Sequence, residues 1–366
     1  MKNQYSTVDT SNQGIISVRS WASVADRISS SVQPLVTPKR FDSLQSMRLL
    51  ASLAVFQSHL WTNYLGRSFV HPGTDFFIVL VGMVAALNDA GKITQGDWKN
   101  YLLRRYLRLY VTFIPIFLLY VLGGRDELTP DFLIRSFFFI PSPGRMPLVG
   151  PTWMLAMFLA FYWLFSLAFL SHKEATLIPV FTAWGVSCLL VTALDVHVSV
   201  FDKGFQLFFS LPNLQFIAGY IGGWLVRNGF ISGPVSRRLL WVGILLMLAG
   251  VVVLNSGEHG VSLRVMLYGA SMTLIAVGLA SMERVGVDSA SIRTITHPWL
   301  VWLGGASYVL YLTHNMILRI WDSLLPIMVW QAPLITLAAL SFAAIGYQFW
   351  EKPVLVFFRT KVLGRE

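Results

Sequence analysis

From residue 47 onward the chain is a succession of apolar runs separated by short polar stretches. Each run is close to the roughly 20 residues a helix needs to cross a bilayer. The runs fall at 47–65, 73–90, 109–123, 151–171, 175–194, 211–227, 239–255, 264–282, 299–318 and 327–349. A segment in lipid must satisfy its own backbone, so these runs read as helices, not strands. The expectation is an all-α polytopic membrane protein with about ten transmembrane helices, the third and sixth runs being short or glycine-broken. Charged residues make up only 13 % of the 366 residues and hydrophobic residues 55 %, against roughly a quarter charged in a soluble domain. That composition excludes a soluble enzyme, a disordered chain and a nucleic-acid-binding domain. The net charge of +10 does not reopen the last class. Its basic residues sit in short runs between apolar stretches, the pattern of cytoplasmic loops.

Three regions follow. Residues 1–40 are a polar, Ser-rich cytoplasmic tail with no signal-peptide core. Within it Ile15, Val18, Trp21 and Ile28 recur at helical spacing, which fits either a helix lying on the membrane surface or a disordered tail. Residues 41–355 are the membrane domain and 356–366 a second cytoplasmic tail. With the N-terminus inside, cytoplasmic segments hold 20 Lys and Arg and the opposite side 7, with Arg48 inside the first helix. This asymmetry puts both termini in the cytoplasm.

Ionisable residues inside a membrane helix are expensive and mark function by default. The first helix carries two, Arg48 and His59. Eleven residues end about 20° past three full turns, so both point to nearly one side, roughly 16 Å apart along the axis. Histidine exchanges a proton near neutral pH, and the arginine fork holds phosphate or carboxylate. A snorkelling Arg48 and a packed His59 are the plain alternative. Asp75, at the outer start of the second helix, lies at a depth similar to His59. It either orients the imidazole or is a helix N-terminal residue stabilised by the dipole. Arg104, Arg105 and Arg108 in WKNYLLRRYLRLY form a cationic cluster on the cytoplasmic side. It suits a polyanionic ligand or serves as a positive-inside anchor. Ser307, Tyr311 and His314 follow a three-to-four spacing on one stripe of a late helix, as a secondary or acceptor site or as packing. Glu351, in FWEKP, reads as structural. The lone Cys188 rules out an internal disulfide and a cysteine metal cluster, and there is no HExxH, GxSxG or P-loop. No metal is expected.

Taken in order, these segments resemble the integral-membrane acyltransferase family 3, in particular its exopolysaccharide O-acetylase branch. The anchors are FDSLQSMRLLASLAVFQSH (41–59) with its R-x10-H spacing, GTDFFIVLVGM (73–83), and WKNYLLRRYLRLY (98–110) with R-x-x-R at Arg105 and Arg108. RSFFFIPSP, PTWMLAMFLAFY (151–162), SYVLYLTH (307–314) and YQFWEKP (347–353) complete the set. Three positions depart from the family pattern. Val81 stands where Ser precedes Gly82, Phe158 stands where a glutamate is common, and Asn315 follows His314 where proline is frequent.

The resemblance implies O-acylation of a sugar hydroxyl, with acetyl-CoA as donor co-substrate and no permanently bound cofactor. Residues 41–355 would be the acyltransferase domain, in the bacterial inner membrane. His59 would be the general base or brief acyl carrier, with Asp75 orienting it. Arg104, Arg105 and Arg108 would hold CoA phosphates, and Arg48 the donor phosphate or thioester oxygen. His314, Tyr311 and Ser307 would form an acceptor or secondary site. The partners implied are acyl-CoA, a lipid-linked or polymeric glycan, membrane lipid and other polysaccharide-assembly proteins. A glycan flippase, with His59 and Asp75 lining a polar path, and a structural subunit of an assembly complex remain alternative classes.

Overall fold

The computed structural model describes residues 41–66, 69–123, 128–142, 144–194, 204–257 and 260–361. The surface-helix reading of 1–40 and the last five residues lie outside this set. Everything below concerns the unit from Lys39 onward. Among the described residues the secondary structure is helical, apart from one isolated bridge between Ser142 and Arg145.

The first helix, α1, is Asp42–Asn63. Then come α2 (Gly73–Gln95), α3 (Trp98–Leu122), the short outer-loop helix α4 (Pro130–Phe137), α5 (Gly150–Ser171) and α6 (Glu174–Ala193). The chain continues with α7 (Asn213–Arg227), α8 (Gly233–Leu254), α9 (Val261–Val285), α10 (Ala290–Ile295), α11 (Pro298–Gly305), α12 (Ser307–Leu324) and α13 (Val329–Lys361). Seven of these, α2, α3, α5, α6, α8, α9 and α13, are long and apolar enough to cross a membrane. Three of the ten expected spans fall outside that group for visible reasons. Helix α1 carries Asp42, Arg48 and His59; α7 has 15 residues; and the 299–318 run is broken at Ala306 between α11 and α12. Helix α13 runs on to Lys361, so the expected tail from 356 begins as helix.

Small residues let helices approach where lipid supplies no hydrophobic drive between them. The α2–α7 pair shows this reciprocally. A Cβ on Gly82 would lie 2.0 Å from the Phe216 carbonyl oxygen, and one on Gly219 would lie 2.0 Å from that of Val79. Neither position accepts even alanine without moving backbone. Helix α1 begins at Phe41, which offers no capping side chain. The cap comes from α9 instead. The Glu283 carboxylate accepts from Asp42 N at 2.8 Å, Ser43 N at 3.0 Å and the Ser43 hydroxyl at 2.6 Å. This fixes the height of α1 and so of its two ionisable residues.

Three helices contain a π turn, at Ala85–Asp89 in α2, Val265–Gly269 in α9 and Tyr347–Glu351 in α13. Among the described residues each contains or directly follows an ionisable residue that is paired or buried within the bundle: Asp89, Arg264 and Glu351. Such turns are rare and concentrate at functional sites.

Candidate active site

Arg48 and His59 occupy one face of α1, and the structure surrounds each with a different cluster. Near the start of α1, the Arg48 Nη1 donates to Gln45 Oε1 at 3.1 Å. Its guanidinium is within electrostatic range of Arg108, Glu351, Tyr347 and Tyr162. Glu351, 2 % exposed, accepts from the Thr112 hydroxyl of α3 at 2.9 Å and faces both Arg108 and Arg48. Tyr308 of α12 donates to the Leu109 carbonyl at 3.0 Å and joins the same group. Two guanidiniums thus lie within electrostatic range of each other and of one carboxylate, a charge balance that suits an anion. Glu351 belongs to this cluster, whereas its sequence position read as structural. The available signal was a carboxylate inside an apolar run.

The expected triplet of arginines divides. Arg108 is exposed and within electrostatic range of Arg48 and Glu351, and Arg104 is half-buried. Arg105 is ion-paired with Asp89 at the end of the α2 π turn. Its guanidinium lies 5.6 Å from the Tyr101 ring centroid and 5.1 Å from that of Tyr162. A buried guanidinium needs a carboxylate, and Asp89 supplies it. Arg105 therefore joins α2 to α3, with its Nη2 engaged by Asp89. Tyr162 connects the two groups, being within electrostatic range of Arg105, Arg108 and Arg48.

At the outer end, His59 meets His314. Their ring centroids are 4.9 Å apart, with the planes inclined at 36°. The contact arises because α1 and α12 run parallel. Gly304, just before α12, sits against the Gln45 carbonyl near the start of α1, and the two histidines then meet further along. His314 is 1 % exposed. Its Nδ1 lies 2.6 Å from the Tyr311 carbonyl oxygen, and its Nε2 is buried with no hydrogen-bond partner. His59 Nδ1 lies 3.3 Å from the Asn63 side-chain nitrogen. A third imidazole, His71, is buried and within electrostatic range of both. Its Nδ1 accepts from Gly73 N at 3.1 Å. His71 was not singled out in the sequence, because it precedes the second apolar run.

The Ser307–Tyr311–His314 stripe forms as spaced, but its members do different things. The Tyr311 hydroxyl donates its hydrogen to the Pro151 carbonyl at 2.8 Å, anchoring the start of α5. Ser307 is buried with its hydroxyl unpartnered, about two turns before His314 on α12. The expected Asp75–His59 contact does not form. Asp75, 3 % exposed, accepts from Gln215 Nε2 at 2.7 Å and from Arg264 Nη2 at 2.9 Å and Nε at 3.2 Å. Arg264 Nη2 also donates to Thr74 Oγ1 at 2.6 Å and the His71 carbonyl at 3.3 Å. A buried carboxylate takes the strongest donor within reach, a charged guanidinium, so Asp75 holds the segment that carries His71. Phe158, in place of the family's glutamate, packs edge-on to Phe216 at 5.8 Å and is buried. Among the described residues no three of His, Cys, Asp or Glu are grouped as metal ligands.

An apolar cavity of about 380 Å³ lies between α1, α8 and α9, lined by Met47, Leu50, Ala54, Trp241 and Met247 among others. These α1 residues lie on the far side of the helix from Arg48 and His59, so the cavity adds no polar group to the site.

Residues 41–348 match the model of a protein family described as an acyltransferase domain. No curated protein and no solved structure matches the chain.

Proposed function

The chain belongs to acyltransferase family 3, and from that premise we propose that it moves an acetyl group from acetyl-CoA to a sugar hydroxyl of an exopolysaccharide or other cell-envelope glycan. One observation carries the choice of donor. The cationic pair Arg48 and Arg108 and the imidazole pair His59 and His314 stand at opposite ends of one helix face. Eleven residues at 1.5 Å separate Arg48 from His59 by roughly 16 Å. A donor matched to both ends has phosphates at one end, a reactive acyl carbon at the other and a long narrow linker between them. A CoA thioester has this form.

In this reading the CoA phosphates lie against Arg48 and Arg108 at the cytoplasmic side, with Tyr162 and Tyr308 around them. The thioester reaches toward His59. The acceptor hydroxyl enters from the outer end, on a lipid-linked or polymeric glycan. His59 takes its proton as the oxygen attacks the thioester carbon. The carbon–sulfur bond then breaks, and the proton passes to the leaving thiolate, giving ester and free CoA thiol. The site lies in the bacterial inner membrane, with the donor drawn from the cytoplasm. The protein holds no resident cofactor; acetyl-CoA binds as a co-substrate.

The test is transfer in proteoliposomes from acetyl-labelled acetyl-CoA to an isolated envelope glycan. The expected result is base-labile label in the glycan, lost in His59→Ala. Label that stays on CoA, while a different acyl donor is consumed by the same preparation, overturns the choice of donor.

A further inference from the structure

We infer that His314 is the positioning residue for His59, holding it as a neutral imidazole partner where a carboxylate would ordinarily stand, and that His59 Nδ1 is the atom that takes the acceptor's proton. This rests on the reading of His59 as the general base. The hydrogens can be followed atom by atom. The Tyr311 carbonyl only accepts, so the 2.6 Å contact places a hydrogen on His314 Nδ1. A neutral His314 then presents Nε2 as a bare lone pair, and that nitrogen is buried without a partner. On the other ring, the Asn63 amide nitrogen is a donor and faces His59 Nδ1 at 3.3 Å. That contact assigns the lone pair to Nδ1, and so the hydrogen of neutral His59 to Nε2. The two assignments are independent, and they complement each other. The rings are in contact, with centroids 4.9 Å apart, but no hydrogen bond joins them at rest, and His314 Nε2 is the unused acceptor beside His59.

The polarity of this chain also sets the direction of catalysis. Asn63 is exposed at the outer end of α1, so an acceptor hydroxyl reaches Nδ1 by displacing a surface amide. When Nδ1 takes the proton, the imidazolium Nε2–H makes a charge-assisted bond to His314. This is the role a buried aspartate plays in a serine–histidine–aspartate site. Asp75 cannot play it, because Gln215 and Arg264 occupy its oxygens. His71 makes no ring contact with either histidine, and its Nδ1 is held by Gly73 N. His314 itself neither gains nor loses a proton over the cycle.

The experiment compares His314→Gln with His314→Leu in proteoliposomes, reading kcat and donor KM separately. Glutamine places an amide oxygen at the reach of Nε2; leucine fills the space with no acceptor. His314→Leu should lower kcat roughly ten- to a hundredfold, the loss of one hydrogen bond to a charged group, with donor KM unchanged. His314→Gln should restore most of that loss. Equal impairment in the two variants, or a loss that appears in donor KM, overturns the inference. His59→Ala separates its failure from that of the underlying reading. Wild-type transfer by His59→Ala ends the general-base assignment. An inactive His59→Ala beside a fully active His314→Leu ends only the role of His314. Should His314→Leu fail to insert, nitrogen NMR of histidine-labelled wild-type protein decides. Hydrogen on Nδ1 of His314 and on Nε2 of His59 is the expected pattern, and the opposite tautomer at either ring overturns it.

Discussion

At the residue scale, the outcome for each ionisable group depends on which partner reaches it first. His59 was legible because no lipid-facing role explains an imidazole eleven residues after Arg48 on one face. His59→Ala should abolish glycan acylation while leaving the amount of inserted protein unchanged, checked by quantified membrane protein beside the transfer assay. Near-normal acylation would remove it from the chemistry. The three arginines were legible as a cluster but not as separate roles, since spacing does not say where Asp89 lies. Arg108 is within electrostatic range of Arg48 and Glu351, so in the proposed site Arg108→Ala should weaken donor affinity. One charge-assisted hydrogen bond is about 1.5–3 kcal/mol, or about ten- to a hundredfold in Kd. Arg105→Ala should instead unfold the protein more readily, because it strands Asp89, 6 % exposed. Breaking a buried pair from one side costs about 3–5 kcal/mol. Thermal melting of matched preparations separates the two, and Arg105→Ala with Asp89→Ala should melt above Arg105→Ala alone. The partner of Asp75 is hidden from the sequence for the same reason as that of Arg105. That partner, Arg264, is 189 positions away, and on the sequence it was only one of the basic residues on the outer side.

At the scale of elements, apolar runs of bilayer length gave the helices, because in lipid the backbone leaves no other local choice. What the runs do not show is where a helix changes register. Residues of a π turn keep the composition of their neighbours, so the turns ending at Asp89 and Glu351 leave no mark in an apolar pattern. Yet those turns place Asp89 against Arg105 and Glu351 beside Arg48 and Arg108. The cap of α1 was equally hidden. Phe41 cannot cap, and Glu283 lies 240 positions from Ser43. Glu283→Ala removes acceptors from two backbone amides and a hydroxyl, and a lost helix cap costs about 0.5–2 kcal/mol. The variant should melt several degrees lower in detergent. Glu283→Gln keeps an acceptor oxygen and should recover part of the difference. An unchanged melting temperature in Glu283→Ala would mean that packing alone sets the height of α1.

At the scale of the whole molecule, sidedness combines a chemical signal with a geometric one. The sequence places 20 basic residues on one side and 7 on the other, which assigns the richer side to the cytoplasm. The structure adds that the two ends of the membrane domain share a side. Glu351, ten residues before Lys361, faces Arg48, six residues after the start of α1. The start of α1 is in turn bound to Glu283 near the end of α9. Whichever side holds one terminus of the domain therefore holds the other, and the proposal drawn from the basic asymmetry is that this side is the cytoplasm. The same assignment puts Arg48 and Arg108 where a cytoplasmic donor arrives, and His59 where an outer acceptor does. A fluorescent-protein fusion after Glu366 should be bright, since such reporters fold in the cytoplasm, and an alkaline phosphatase fusion at the same point should be inactive. A fusion active only outside would reverse the orientation of α1. Arg48 and Arg108 would then open to the cell exterior, where no acyl-CoA pool exists, so one result would overturn both the topology and the proposed donor.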